Sequence, residues 1–159
     1  MKQQTVLRRA FVLGHPIKHS RSPRLHGYWL SALGISGTYD AIDIEVTGLP
    51  AFFARLREKE FAGGNVTIPL KEHIAPFCDE IDEAASTIGA INTLVQRDGK
   101  ISGSNSDHYG FLANLDQQAP GWDGSGENPL AHAIVLGAGG ASRAVIHALL
   151  QRGIPRLSL

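Results

Sequence analysis

Short apolar runs alternate with helix-spaced apolar patterns along almost the whole chain, and this alternation restricts the fold more than any other feature. Residues 10–14 (AFVLG) form an apolar run closed by Gly14 and Pro16, the pattern of a buried strand. Ser22-Pro23 opens a helix carrying Leu25, Tyr28, Trp29 and Leu33, and Gly34 stops it. Residues 38–46 (TYDAIDIEV) alternate apolar with polar or acidic side chains, as a strand with one wetter face does. Residues 49–59 place Phe52, Phe53 and Leu56 along one face of a helix. Residues 63–69 (GGNVTIP) read as a short strand, and 71–88 as a helix in two pieces broken near 76–82. Residues 91–96 and 100–104 flank Asp98-Gly99, a strong hairpin signal, and 107–118 form a further helix. Strands interleaved with helices bury a sheet on both faces. The expected class is therefore α/β, with a mainly parallel sheet flanked by helices.

The pattern changes at residues 120–129 (PGWDGSGENP), which lack apolar periodicity, so 120–130 reads as a linker. Beyond it, 131–136 (AHAIVL) reads as a buried strand and 137–142 (GAGGAS) as a glycine turn. A helix over 143–151 and the start of a strand over 155–159 follow. The expected organisation is one domain over residues 1–119 and the first strand–helix–strand of a Rossmann-like unit over 131–159. A length of 159 residues suits one domain plus part of another.

Composition removes several functions. Lys and Arg (15) balance Asp and Glu (15), so there is no basic excess to neutralise nucleic-acid phosphates. A hydrophobic share of 43% at zero net charge argues against disorder. Cys78 is the single cysteine, so no disulfide framework exists, and a reducing, cytoplasmic setting is expected. The first ten residues carry no signal-peptide core, and no run approaches the roughly 18 apolar residues of a membrane span. The seven histidines (15, 19, 26, 73, 108, 132 and 147) show no metal-ligand spacing, so no metal is expected.

Four constellations carry chemistry. Ser20 and Ser22 stand at the start of the first helix, where free N–H groups favour an anion, above all a carboxylate. By spacing alone the more common reading has Ser22 as a helix cap and Ser20 as a turn residue. Asn65 and Thr67 fall on one face of a strand, and Pro69 then leads to Lys71 at the start of a helix. A lysine there opposes the macrodipole by roughly 0.3–1 kcal/mol if exposed, which points to a chemical role. Pairing with Glu72 on the surface is the plain alternative. Counting outward from Asp98-Gly99 sets Asn92 opposite Asn105. Asn92 and Asn105-Ser106-Asp107 then meet at one open end, where two amides and a carboxylate can bracket a polyhydroxylated ligand. Asp107 is by position also a helix cap. Finally, Gly137, Ala138, Gly139, Gly140 and Ala141 follow an apolar strand and open a helix, the plan of a dinucleotide site. Ser142 stands where the strict fingerprint has a third glycine.

GHPIKHSRSP, GGNVTIPLK, GAINTL, GSNSDHYGF and VLGAGGASRA, in this order, resemble the motifs of the shikimate dehydrogenase family. The quinate/shikimate dehydrogenases share them. The resemblance covers residues 10–159 and implies an NADP-dependent oxidoreductase of aromatic amino acid biosynthesis. The implied reaction interconverts shikimate and 3-dehydroshikimate by hydride transfer. It assigns Lys71 and Asp107 as the catalytic acid–base pair. Ser20, Ser22, Asn65, Thr67 and Asn92 join that pair as substrate-binding residues. It puts the cofactor on Gly137–Ala141, with Glu83 as a further position near it. His15 departs from a frequent Asn, Ser106 from a Thr, and Leu70 from an aromatic residue or His.

The resemblance implies shikimate or 3-dehydroshikimate as the partner, with no nucleic acid and no membrane, and leaves a homodimer open. NAD stays open beside NADP, because the residues that read the ribose come after a second strand. The pattern stops at Leu159, so the expectation is a chain shortened within its cofactor unit and weakly active by itself. A shikimate-binding module without catalysis is the alternative, with a self-associating remnant as a third reading.

Overall fold

Phe11, Leu13 and their neighbours make β1 (Arg8–Gly14) apolar on both faces, and the larger sheet forms around it. The computed structural model describes residues 8–124, 130 and 132–159. β2 (Gly37–Asp43) and β3 (Gly63–Val66) lie parallel to β1 on either side. β5 (Thr93–Arg97) runs antiparallel to β3, β6 (Lys100–Ser104) antiparallel to β5, and the two-residue β4 (Glu80–Ile81) parallel to β6. The strand order is β2-β1-β3-β5-β6-β4. Three of the five pairings are parallel, so the sheet is mixed but mainly parallel, as the alternating pattern predicts.

One face of this sheet carries the main core. Phe11 and Leu13 from β1, Val66 from β3, Leu94 from β5 and Ile101 from β6 pack against Leu49, Phe52, Phe53 and Leu56. Those four are the buried stripe of α2 (Leu49–Arg57). Phe11 meets Phe52 edge-on at 5.0 Å between ring centres. Each such side chain contributes roughly 1.5–3 kcal/mol on burial, which fixes α2 against the sheet. α1 (Ser22–Ala32) borders β2, with none of its residues fully buried.

Residues 71–88 depart from the expected helix. They form two single 3-10 turns, Leu70–Glu72 and Ala75–Phe77, then β4, and only then α3 (Glu83–Ile88). Pro69 and Pro76 each allow one turn, and buried Leu70 and Ile74 tie both turns to the core instead of letting a helix propagate. Asp82 caps α3 by accepting from Ala85 N–H at 2.6 Å, and left-handed Gly89 ends it. The hairpin forms as expected, with Asp98 and Gly99 both at positive φ and Arg97 opposite Lys100. α4 (Asp107–Gln118) follows.

In the last part, α5 (Gly140–Gln151) lies against α4 and α3. β7 (Ala133–Ile134) pairs in parallel with β8 (Leu157–Ser158). The expected buried strand over 131–136 is therefore shorter and more open. Ile134 and Leu136 are exposed, β8 being the one strand beside β7 among the described residues, and His132 is exposed, bonded to Ser158 Oγ at 2.9 Å. Residues 125–129 of the expected linker, and Ala131, lie outside the described residues.

Candidate active site

The chemistry-bearing residues gather at one end of the sheet. β1 and β3 both finish there, β6 finishes there, and the antiparallel β5 begins there. Ser20 stands in the connection out of β1 and Ser22 at the start of α1, Asn65 and Thr67 at the end of β3, Asn92 just before β5, and Asp107 just after β6. Ligands of α/β sheets bind at such carboxyl ends.

Lys71 and Asp107 form the centre. Lys71 Nζ donates to Asp107 Oδ2 at 2.7 Å, with the lysine side chain 14% exposed. The other carboxylate oxygen accepts from Asn92 Nδ2 at 2.7 Å. Asn92 is itself buried and accepts from Ser106 N–H at 3.0 Å. The carboxylate is thus held on both oxygens, and the ammonium keeps two further N–H groups for a ligand.

Several local expectations change here. Lys71 sits in the single 3-10 turn Leu70–Glu72, so there is no long helix macrodipole for it to oppose. Its partner is Asp107 and not Glu72, which instead takes Arg143 Nη2 at 3.1 Å. Asp107 does not cap α4. Asn105 accepts the Asp107 N–H at 2.9 Å and donates to the Ala90 carbonyl at 2.8 Å. Asn105 is therefore a buried brace and not a ligand-facing amide. Ser22 does not cap α1 either: it is the first helical residue, and its N–H points to Ser20 Oγ at 3.3 Å. That leaves the Ser22 hydroxyl outside the cap.

Asn65 accepts from the Tyr39 hydroxyl at 2.7 Å and faces the Asn92 carbonyl at 3.4 Å. Thr67 belongs to the same end: its N–H donates to the Leu13 carbonyl at 2.8 Å. Gly14 has to be glycine there, since a Cβ would lie 2.6 Å from Thr67 Cγ2. Tyr39 and Thr93 support the site without having been singled out by sequence. The alternating pattern put Tyr39 on a strand but could not say across which neighbour it reaches.

The glycine turn meets the same centre. A Cβ on buried Gly140 would stand 3.4 Å from Ala90 Cβ and 3.6 Å from Lys71 Cβ. Gly137 has φ +111, and around Gly137 and Gly139 the space is open. This open turn at the start of a 12-residue helix has the room and the N–H groups that a pyrophosphate needs. Glu83 is not brought to the turn. It lies beside His147 and Gln151, at the other end of α5.

The family model for the shikimate dehydrogenase substrate binding domain matches residues 12–94. The chain belongs to the shikimate dehydrogenase family. It is 54% identical over 152 residues to the shikimate dehydrogenase (NADP(+)) of Brucella canis, covering 96% of this chain and 51% of the relative. The Mesorhizobium japonicum shikimate dehydrogenase (NADP(+)) is 55% identical over 146 residues, covering 92% of this chain and 50% of the relative. The crystal structure of the Thermus thermophilus enzyme in complex with NADP(H) and shikimate superposes with a TM-score of 0.83 at 39% identity. That match covers 95% of this chain and 55% of the Thermus one. The chain spans about half the length of the shikimate dehydrogenases it matches. The part matched by the family model runs from β1 into β5 and contains Ser20, Ser22, Asn65, Thr67, Lys71 and Asn92.

Proposed function

We propose that this chain binds shikimate and serves an NADP-dependent oxidation of it to 3-dehydroshikimate and the reverse reduction. The observation that carries the reading is the Lys71–Asp107 pair at 2.7 Å, built at the sheet end and touched by the helix that opens with the glycine turn. Residues 1–119 make up the substrate domain on this reading, and the strand–helix–strand over 131–159 opens the nucleotide unit.

Ser20 and Ser22 take the shikimate carboxylate with their hydroxyls. Asn65, Thr67 and Asn92 take ring hydroxyls. Lys71 Nζ holds and moves the proton of the hydroxyl whose carbon is oxidised, while Asp107 orients the ammonium and balances its charge. The backbone N–H groups of Gly137–Ala141 fit the pyrophosphate of a nicotinamide dinucleotide, which when bound supplies or accepts the hydride. The choice of NADP over NAD is supported by the names of the relatives. Glu83 has no part in cofactor contact on this reading.

The test has two arms. Calorimetry of the chain with shikimate is expected to give saturable heat, and absence of heat sinks the reading. In a preparation that reduces NADP(+) with shikimate, Lys71→Ala is expected to lower turnover by roughly a hundredfold or more, the scale of an acid–base group. Near-normal turnover in that variant removes Lys71 from the chemistry.

A further inference from the structure

A series of hydrogen bonds donated in one direction joins the outermost strand β2 to the acid–base pair. The Tyr39 hydroxyl donates to Asn65 Oδ1 at 2.7 Å. Asn65 Nδ2 faces the Asn92 carbonyl at 3.4 Å and Thr93 Oγ1 at 3.5 Å. The Thr93 hydroxyl donates to Asn92 Oδ1 at 2.8 Å, and Asn92 Nδ2 donates to Asp107 Oδ1 at 2.7 Å. The series ends on the carboxylate that holds Lys71.

Register explains how β2 reaches β3. Tyr39 lies opposite Ala10, and Val12 lies opposite Asn65, so all four share the sheet face away from the main core. The long phenol ring crosses β1 to the Asn65 amide. His26 of α1 stacks on the ring at 4.0 Å and 5° between planes. An amide can present its oxygen or its nitrogen to either side. Here a backbone carbonyl, which can only accept, sits at one end of Asn65, and the phenol supplies the matching donor at the other. Burial pushes the Tyr39 phenol up to about 12, so it stays a donor through the neutral range.

We propose that Tyr39 is a positioning residue of the shikimate site: its hydroxyl holds Asn65 in the orientation that turns its N–H groups toward the Asn92 carbonyl and Thr93 Oγ1, keeping Asn92 and Asp107 in line. The inference rests on the shikimate reading for its ligand, though not for its geometry.

Calorimetry with shikimate on the parent chain, Tyr39→Phe, Asn65→Ala and the double variant tests it, with melting temperatures alongside. Phe keeps the ring and its stack on His26 and removes just the hydroxyl. Tyr39→Phe is expected to weaken shikimate about tenfold in the parent, as for one lost hydrogen bond. In the Asn65→Ala background the same change is expected to cost under about twofold, because the two residues act as one unit. Equal losses in both backgrounds, or no loss in the parent, overturn the proposal. The side-chain amide signals of Asn65 in an isotope-labelled chain give a readout that needs no ligand. They shift and exchange faster in Tyr39→Phe if the hydroxyl holds the amide, and unchanged signals overturn the proposal. A parent chain that gives no heat with shikimate overturns the shikimate reading instead, and the amide signals then decide the role of Tyr39.

Discussion

Asp107 can hold Lys71 because Asn105 takes over the helix end. An aspartate at the cap position spends a carboxylate oxygen on a first-turn N–H, but Asp107 lies one residue further in, as the first residue of α4. Asn105 accepts the Asp107 N–H instead, so both carboxylate oxygens turn to side chains. Sequence spacing led to Asp107 and Asn92, but it could not divide capping from chemistry between two neighbouring polar residues. Cys78 illustrates the opposite case, a reactive residue type without a reactive setting. Burial first, and the Asp79 carboxylate second, push its thiol up to about 11. A shift of this size from the ordinary value lowers the thiolate fraction about a hundredfold at neutral pH. Alkylation of Cys78 in the native chain is therefore expected to be at least about that much slower than in denaturant, when followed by mass spectrometry. Equal rates in both conditions would show the thiol to be open.

Among elements, β3 is the one with least room to vary. A Cβ on Gly64 would fall 2.2 Å from the Phe11 carbonyl oxygen and 2.6 Å from the Phe11 ring. Gly64→Ala is expected to cost about 3 kcal/mol or more, because backbone and a buried ring would both have to move. Urea unfolding measures that loss, and a change of midpoint below experimental error would mean that β1 and β3 can separate freely. Elements at the β6-β4 edge of the sheet are joined by charge. Arg57 of α2 donates to Asp79, just before β4, at 2.7 Å, and the same carboxylate oxygen accepts the Ile101 N–H of β6 at 2.7 Å. The guanidinium, then the backbone N–H, hold the Asp79 carboxyl below the usual aspartate range. A depressed carboxyl adds stability above the ordinary pKa, and that stability drains away as pH falls through the folded-state value. Thermal melts from neutral into acid pH are expected to fall less steeply for Asp79→Asn than for the parent. Parallel curves would show that Asp79 contributes nothing to the acid limb.

For the whole molecule, the decisive contact is between α5 and the sheet domain. Ala144 is fully buried against Ile88 and Ala90, Gly140 lies on the Lys71 turn, and Arg143 pairs with Glu72. Small residues permit this approach, and the half-exposed ion pair adds under about 1 kcal/mol. Ala144→Leu is expected to lift α5 while the sheet stays folded. Hydrogen exchange should then speed up across residues 140–151 and remain unchanged in β1 and β3. Uniform acceleration would mean that the two parts unfold as one.

Much of this was legible in the residues themselves. Apolar alternation, glycine and proline stops, and Asp98-Gly99 are local signals, and local sterics and burial enforce them, so most strands, the hairpin and most helices follow directly. Where Pro69 and Pro76 meet buried Leu70 and Ile74, tertiary anchoring outweighs helical propensity, and the expected helix over 71–88 becomes two turns, a short strand and α3. The five ordered motifs were enough to determine the family and to nominate Lys71, Asn92 and Asp107. Partner choice was not local. That Lys71 pairs with Asp107 and not Glu72, that Asn105 braces instead of binding, that Glu83 lies away from the glycine turn, and that Tyr39 reaches Asn65 across β1 all depend on how segments distant in sequence pack together. Side-chain hydrogen bonds act over about 3 Å, so only the packed sheet could decide which polar groups come within reach.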